Sequence, residues 1–131
     1  MSQHFVAIIQ LHLVHGGGQH FDHDSDHLAG RRFFRSHGLG IGDDATTSQV
    51  AQMGDLLREQ LADGWIGVDF EPEYAPATSL AEMTALATIA AEVGVPCFFH
   101  GRYSAYGTNA ATLDEIINIA KATGAAVHIE H

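Results

Sequence analysis

Three copies of a helix-start pattern, evenly spaced along the chain, constrain its fold more than any other feature. In this pattern, the capping box, Ser or Thr is followed three residues later by Glu or Gln, and the two side chains satisfy free backbone amides at a helix N-terminus. The copies begin at Thr46, Ser79 and Thr112, 33 residues apart in both cases. Apolar residues at helical spacing and then a glycine follow each copy, so the chain is predicted to repeat one helical unit.

A short apolar run follows each of the three glycines, and each run predicts a strand. Because nearly every residue in these runs is apolar, we expect strands that are buried on both faces. The runs are Trp65–Phe70, Val95–Phe99 and Ala125–Ile129, after Gly64, Gly94 and Gly124. Alternating helices and buried strands predict an α/β fold with a parallel sheet and right-handed crossovers.

The rest of the chain fits around these units as a single segment. Residues 1–12 predict a strand, residues 13–45 an irregular insert rich in His, Asp and Gly, and residues 46–131 the three helix–strand units. An open doubly wound sheet and a (β/α)8 TIM-like barrel share this order, but a barrel needs at least about 200 residues. We expect a partial barrel, about half of one, because a chain that stops at a strand leaves a parallel edge uncovered.

The charge balance of the chain narrows the classes of partner. Six basic residues against 16 acidic ones give a formal net charge of −10, which disfavours nucleic acid and anionic membranes as partners. The single cysteine, Cys97, cannot form an internal disulfide, and the apolar start is too short to cross a membrane. We therefore expect a cytoplasmic protein.

Residues of metal-ligand type stand at the ends of the predicted strands. They are His12, Asp69, Glu71, His100 and His131. In both α/β architectures, ligands bind where parallel strands end at their carboxyl side. Imidazole and carboxylate groups that converge there are the components of a zinc site that activates water, although each residue alone is more often structural.

From about Thr46 onward, over roughly two thirds of its length, the chain resembles the central part of the amidohydrolase superfamily. The nearest branch is that of the D-aminoacylases (N-acyl-D-amino-acid deacylases). The resemblance rests on the order of four stretches: the helix end and strand Asp63–Gly67, the E-Y-x-P loop Glu73–Pro76, the H-x-R strand end His100–Arg102 and the H-I-x-H strand end His128–His131.

This resemblance implies a barrel that binds one or two zinc ions and hydrolyses an amide bond through a zinc-activated water. It makes His100 and His131 metal ligands and Glu71 a group that bridges the metals, with Asp69 as the competing choice. It also implies a substrate pocket lined by Tyr74 and Arg102, although a structural salt bridge is an equal alternative for the arginine.

The chain also departs from the family pattern. The H-x-H of the family's first strand and the late aspartate that acts as general base are absent from the 131 residues. No residue of this chain is therefore assigned as catalytic, and we expect the segment to be inactive by itself. Its expected partners are a small-molecule N-acyl amino acid, the remainder of the barrel and a second copy of the chain through self-association.

Two other functions compete with the deacylase. One is a cyclic amidase of the same superfamily, similar to dihydroorotase or hydantoinase. The other is a non-catalytic metal-binding α/β domain that uses the His- and Asp-rich stretch His15–His27. That stretch lacks the glycine and the terminal glutamate of an EF-hand loop, so we interpret it as a solvated loop.

Overall fold

The computed structural model describes residues 44–106 and 109–130 of the chain. The predicted strand at residues 1–12, almost all of the insert, and His131 lie outside the described residues. The elements in chain order are helix α1 (Thr47–Ala62), strand β1 (Val68–Phe70), helix α2 (Leu80–Val93), strand β2 (Cys97–Phe99), the short helix α3 (Tyr103–Tyr106), helix α4 (Asn109–Thr123) and strand β3 (Val127–Ile129).

The three strands form one parallel sheet in the order in which they follow along the chain, β1-β2-β3. Residues Phe70, Phe99 and Ile129 occupy the same register position at the carboxyl end of the three strands. The predicted α/β fold with a parallel sheet is confirmed for this part of the chain. Each strand ends at the predicted residue but begins two or three residues later than the apolar run.

Two of the three predicted capping boxes lie at helix starts. Thr46 caps α1 with the full reciprocal pair, since its hydroxyl accepts from the Gln49 amide at 3.2 Å and the Gln49 side chain accepts from the Thr46 amide at 2.8 Å. Ser79 caps α2 and accepts from the Glu82 amide at 3.1 Å. The third prediction is wrong: α4 begins at Asn109, so Thr112 lies inside the helix, where its side chain is fully buried.

Replacing Thr46 by Ala is expected to lower the free energy of unfolding by about 1 kcal/mol, because the helix start loses the hydroxyl that accepts from the Gln49 amide. Urea unfolding followed by circular dichroism measures this loss. Thr47→Ala is the matched control, since Thr47 is the next residue, is exposed and is already helical. Equal losses in the two variants would contradict the capping role.

The predicted glycine stops are all present. Gly64, Gly94 and Gly124 have φ values of 102°, 85° and 74°, in the left-handed region that residues with a Cβ atom rarely adopt. Gly94 is itself the C-cap of α2, where its amide donates to the Ala90 carbonyl. These turns reverse the chain after each helix and direct it into the following strand.

The hydrophobic core lies between the three long helices and one face of the sheet. Val68, Phe70, Cys97 and Phe99 supply the sheet side of the core, and the rings of Phe70 and Phe99 stack with centroids 4.8 Å apart. The helical side consists of Met53, Leu57, Leu61, Met83, Leu86, Ala87, Ile89, Ala90, Ile116 and Ile119. Because α1 packs on α2 and α2 packs on α4, the long helices cover the same side of the sheet.

The opposite face of the sheet is polar at several positions. Side chains alternate along a strand, so the register partners Asp69, Phe98 and His128 point away from the helices. The expectation that every strand is buried on both faces holds for β1 and is wrong for β3, where Val127 is half-buried and His128 and Ile129 are exposed. Among the residues that the structure describes, no helix has the length and apolar character needed to cross a membrane.

Candidate metal centre

The first residues beyond the three strands, Glu71, His100 and Glu130, form a row at the carboxyl edge of the sheet. The ladder of hydrogen bonds continues through this row: the His100 amide donates to the Phe70 carbonyl at 2.9 Å, and the Glu130 amide donates to the Phe99 carbonyl at 3.0 Å. Since each residue is one step past the core-facing register position, the alternation of side chains places all three on the polar face with Asp69.

Three carboxylates converge at this edge. One oxygen from each of Asp69, Glu71 and Glu130 lies within 4.8 Å of an oxygen from each of the other two. Asp69 is fully buried, and the two glutamates are half-buried. Like charges at such separations repel each other, and a divalent cation is one kind of counter-charge that would offset this repulsion.

Of the predicted metal ligands, two lie in the carboxylate cluster and one lies outside the described residues. Asp69 and Glu71, predicted as alternative ligands, lie together in the carboxylate cluster. Glu130 was missed, although the apolar run that predicted β3 ends at Ile129 and so makes Glu130 the counterpart of Glu71 and His100. His131 lies outside the described residues, and its role as a ligand stays a prediction.

His100 lies at the centre of the row but is enclosed by aromatic rings. Its side chain is 9% exposed. The ring of Tyr74 meets the imidazole edge-on at a centroid distance of 4.9 Å, and the ring of Tyr103 lies at 6.2 Å. Tyr74 itself is 60% exposed, so its ring forms the outer wall beside the histidine. Its predicted contact with substrate is compatible with this position.

A fourth acidic residue, Glu73, joins the segment after β1 to the segment after β2. Its carboxylate accepts hydrogen bonds from the Ser104 hydroxyl and from the Ser104 amide, the latter at 3.1 Å. The hydroxyl bond is the main cause that lowers the pKa of Glu73 below its ordinary value, and the charge of His100 adds to the effect. Glu73 therefore remains ionised and linked to the short helix α3.

Arg102, predicted to bind a substrate carboxylate, is engaged within the protein. Its Nε donates to both carboxylate oxygens of Glu115, at 3.0 and 3.2 Å, and both side chains are more than nine-tenths buried. Its two terminal nitrogens donate to the carbonyl oxygens of Pro76, at 2.6 Å, and Thr78. These contacts favour the salt-bridge alternative for this residue.

Gly101, between His100 and Arg102, is packed against α4. A Cβ atom at this position would lie 2.4 Å from the Thr112 hydroxyl oxygen and 3.2 Å from its methyl carbon. Thr112 is fully buried, so it has little room to move away. The glycine therefore lets the end of β2 approach the helix closely.

Gly101→Ala is expected to destabilise the chain by about 1–3 kcal/mol, the usual cost of overpacking a buried site. The same substitution in a Thr112→Ala background should cost clearly less, because the hydroxyl and methyl groups that collide with the new Cβ are gone. Urea unfolding of the four chains of this double-mutant cycle measures the difference. A Gly101→Ala cost that is the same in both backgrounds would show that the collision is not its cause.

Cys97 is not a candidate nucleophile. It is fully buried in the core, and burial raises the pKa of its thiol to about 12. A thiol acts as a nucleophile as the thiolate, which this environment suppresses at neutral pH. Its role is packing beside Val68 and Val127, its partners in the sheet.

Comparison with known proteins leaves the family of the chain open. No family model, no curated protein and no solved structure matches it. The resemblance to the amidohydrolases therefore rests on the order of the sequence motifs and on the strand-end position of the candidate ligands.

Proposed function

We propose that this chain forms part of a divalent-cation-dependent amidohydrolase that hydrolyses the amide bond of N-acyl amino acids. Asp69, Glu71 and Glu130 hold the cation in this proposal. The observation that carries it is the convergence of these three carboxylates within 4.8 Å at the carboxyl edge of a parallel sheet, the edge at which α/β enzymes bind their ligands.

The architecture supports a barrel as the setting of this site. The strands follow one another in sequence order, and the long helices cover one side of the sheet. A segment of a (β/α)8 barrel has this winding, and so does one half of a doubly wound sheet, which reverses its strand order only where its two halves meet. In a barrel the polar face that carries Asp69 would point inward, and the strand-end row would lie at the mouth.

The donor set fits a divalent cation. Carboxylate oxygens are ligands for zinc at about 2.0–2.2 Å, and they are also the preferred ligands of the harder ions Mg²⁺ and Mn²⁺. Zinc is the ion that the motif resemblance implies. When bound, such a cation supplies Lewis-acid chemistry, polarising a carbonyl and lowering the pKa of a coordinated water.

The residues around the cluster have distinct roles in the proposal. The buried Asp69 fixes one side of the site at the centre of β1. His100, held by the rings of Tyr74 and Tyr103, presents an imidazole between the two glutamates in the row. The exposed ring of Tyr74 offers an apolar surface for the acyl or amino-acid side chain, and the ionised Glu73 next to it disfavours anionic groups on that side.

Calorimetry with Zn²⁺ and Mn²⁺, followed by titration of N-acetyl-D- and N-acetyl-L-amino acids into the loaded chain, tests the proposal. We expect one cation site, which Glu130→Gln removes and His23→Gln leaves intact. We also expect the N-acetyl amino acids to bind only when the cation is present. Loss of the cation in His23→Gln alone would place the metal in the insert. Cation binding without any affinity for N-acyl amino acids would favour the non-catalytic metal-binding domain.

A further inference from the structure

We propose that Arg102 is a positioning residue for the candidate metal centre: its guanidinium holds the β1–α2 loop, residues 71–79, against the end of β2. The proposal rests on the proposed function, because Glu71 is the first residue of that loop and one of the three converging carboxylates. It replaces the substrate contact predicted for Arg102 with a role inside the protein.

The guanidinium joins three segments of the chain. It leaves the backbone two residues after His100, donates to the Pro76 and Thr78 carbonyls of the β1–α2 loop and forms an ion pair with Glu115 on α4. The planar fork of arginine can donate in these three directions at once, whereas the single ammonium of lysine cannot match the geometry. The two strand ends and α4 are therefore linked through one side chain.

The described backbone hydrogen bonds within the loop are local. Its described backbone bonds run from the Tyr74 and Ala75 amides to the Glu71 carbonyl, and from the Thr78 amide to the Ala75 carbonyl. These are local turns, which shape the loop without attaching it to the sheet. Two side-chain contacts attach the loop to the segment after β2. Glu73 bonds to Ser104 in the first half of the loop, and Arg102 bonds to the Pro76 and Thr78 carbonyls in the second half.

The burial of the ion pair makes this link costly to break. Arg102 and Glu115 are each more than nine-tenths buried, so neither charge can be solvated by rotating outward. A buried guanidinium needs its carboxylate partner and its carbonyl acceptors together. Displacing the loop would deprive the guanidinium of two acceptors, and this cost holds Glu71 close to Asp69 and Glu130.

Two variants separate positioning from general stability. Arg102→Lys keeps the charge beside Glu115 but loses the fork that reaches both loop carbonyls, whereas Glu115→Gln keeps an acceptor for Nε and leaves the loop contacts in place. Arg58→Lys is the matched control, since Arg58 is a half-exposed arginine of α1 that lies near Asp55 and Glu92. Hydrogen exchange of the loop amides and the dissociation constant for Mn²⁺ are measured for each chain.

In Arg102→Lys we expect exchange at Tyr74, Ala75 and Thr78 to be at least about tenfold faster, with α2 amides unchanged, and Mn²⁺ affinity to fall about fivefold or more. Arg58→Lys should stay within about twofold of the parent chain in both measurements. Glu115→Gln, which takes the carboxylate from a buried guanidinium, should lower the free energy of unfolding, but it leaves the Pro76 and Thr78 contacts in place, so its Mn²⁺ affinity should fall less than that of Arg102→Lys. Unchanged loop exchange in Arg102→Lys would overturn the proposal, as would faster exchange with undiminished Mn²⁺ affinity. If the parent chain binds no cation, the proposed function fails, and the exchange result alone decides the role of Arg102.

Discussion

Replacing Asp69 by Asn is expected to weaken divalent-cation binding by on the order of 100-fold or more. The substitution keeps the shape of the side chain and removes one of the three carboxylate ligands whose oxygen atoms lie within 4.8 Å of one another. The attraction between unit charges 4 Å apart is about 4 kcal/mol at an effective dielectric constant of 20, and a 100-fold change in affinity is about 2.7 kcal/mol. Isothermal calorimetry with Mn²⁺ measures the loss.

The effect of the same substitution on stability should depend on the cation. A cation at 100 times its dissociation constant stabilises the parent chain by about 2.7 kcal/mol, and Asp69→Asn should lose this stabilisation. Without cation, the variant should be no less stable than the parent, because the repulsion among the carboxylates is reduced. Asp114→Asn, an equal change of charge at an exposed position of α4, is the control. Equal cation binding by parent and Asp69→Asn would contradict the site.

Replacing Phe99 by Ala is expected to lower the free energy of unfolding by about 3–5 kcal/mol, a large part of the stability of a small domain. Phe99 is fully buried on the helix-facing side of β2, and its ring stacks on Phe70 at 4.8 Å. Removing the ring leaves a cavity and a second ring without its stacking partner. Chemical unfolding monitored by circular dichroism gives the loss.

The neighbouring residue provides the matched control for this prediction. Phe98 lies next to Phe99 in the sequence, is half-buried and points to the opposite face of the sheet, near His128 at a ring distance of 5.6 Å. Phe98→Ala should lower the free energy of unfolding by less than about 2 kcal/mol, since a half-buried ring removes less apolar surface from water. If the two alanine variants lose the same stability, the division of the sheet into an apolar and a polar face is wrong.

The helices and strands were predictable from the sequence because their signals are local. The Thr46 capping box and the glycine at position 94 act within a few residues of themselves, and both determine a helix boundary in the structure. The start of α4 was not predictable from the same pattern. Thr112 is fully buried and packs closely against Gly101, a contact between distant elements that the local capping pattern does not contain.

The candidate site was predictable in part. The first residue beyond each apolar run gives Glu71, His100 and Glu130, which are the row that the sheet register produces. Glu130 was not among the predicted ligands because the H-I-x-H motif assigns that role to His131, which lies outside the described residues. The partners of Arg102 could not be predicted from the sequence because only the fold brings them together. The loop carbonyls are 24 and 26 residues away along the chain, and Glu115 is 13 residues away.

A crystal structure of the chain grown with Mn²⁺, with the ion located by its anomalous scattering, tests the central claim most directly. We expect one strong anomalous peak at the carboxyl edge of the sheet, at about 2.0–2.3 Å from oxygen atoms of Asp69, Glu71 and Glu130. A peak held only by histidines of the insert, with these three carboxylates turned away from each other, would contradict it.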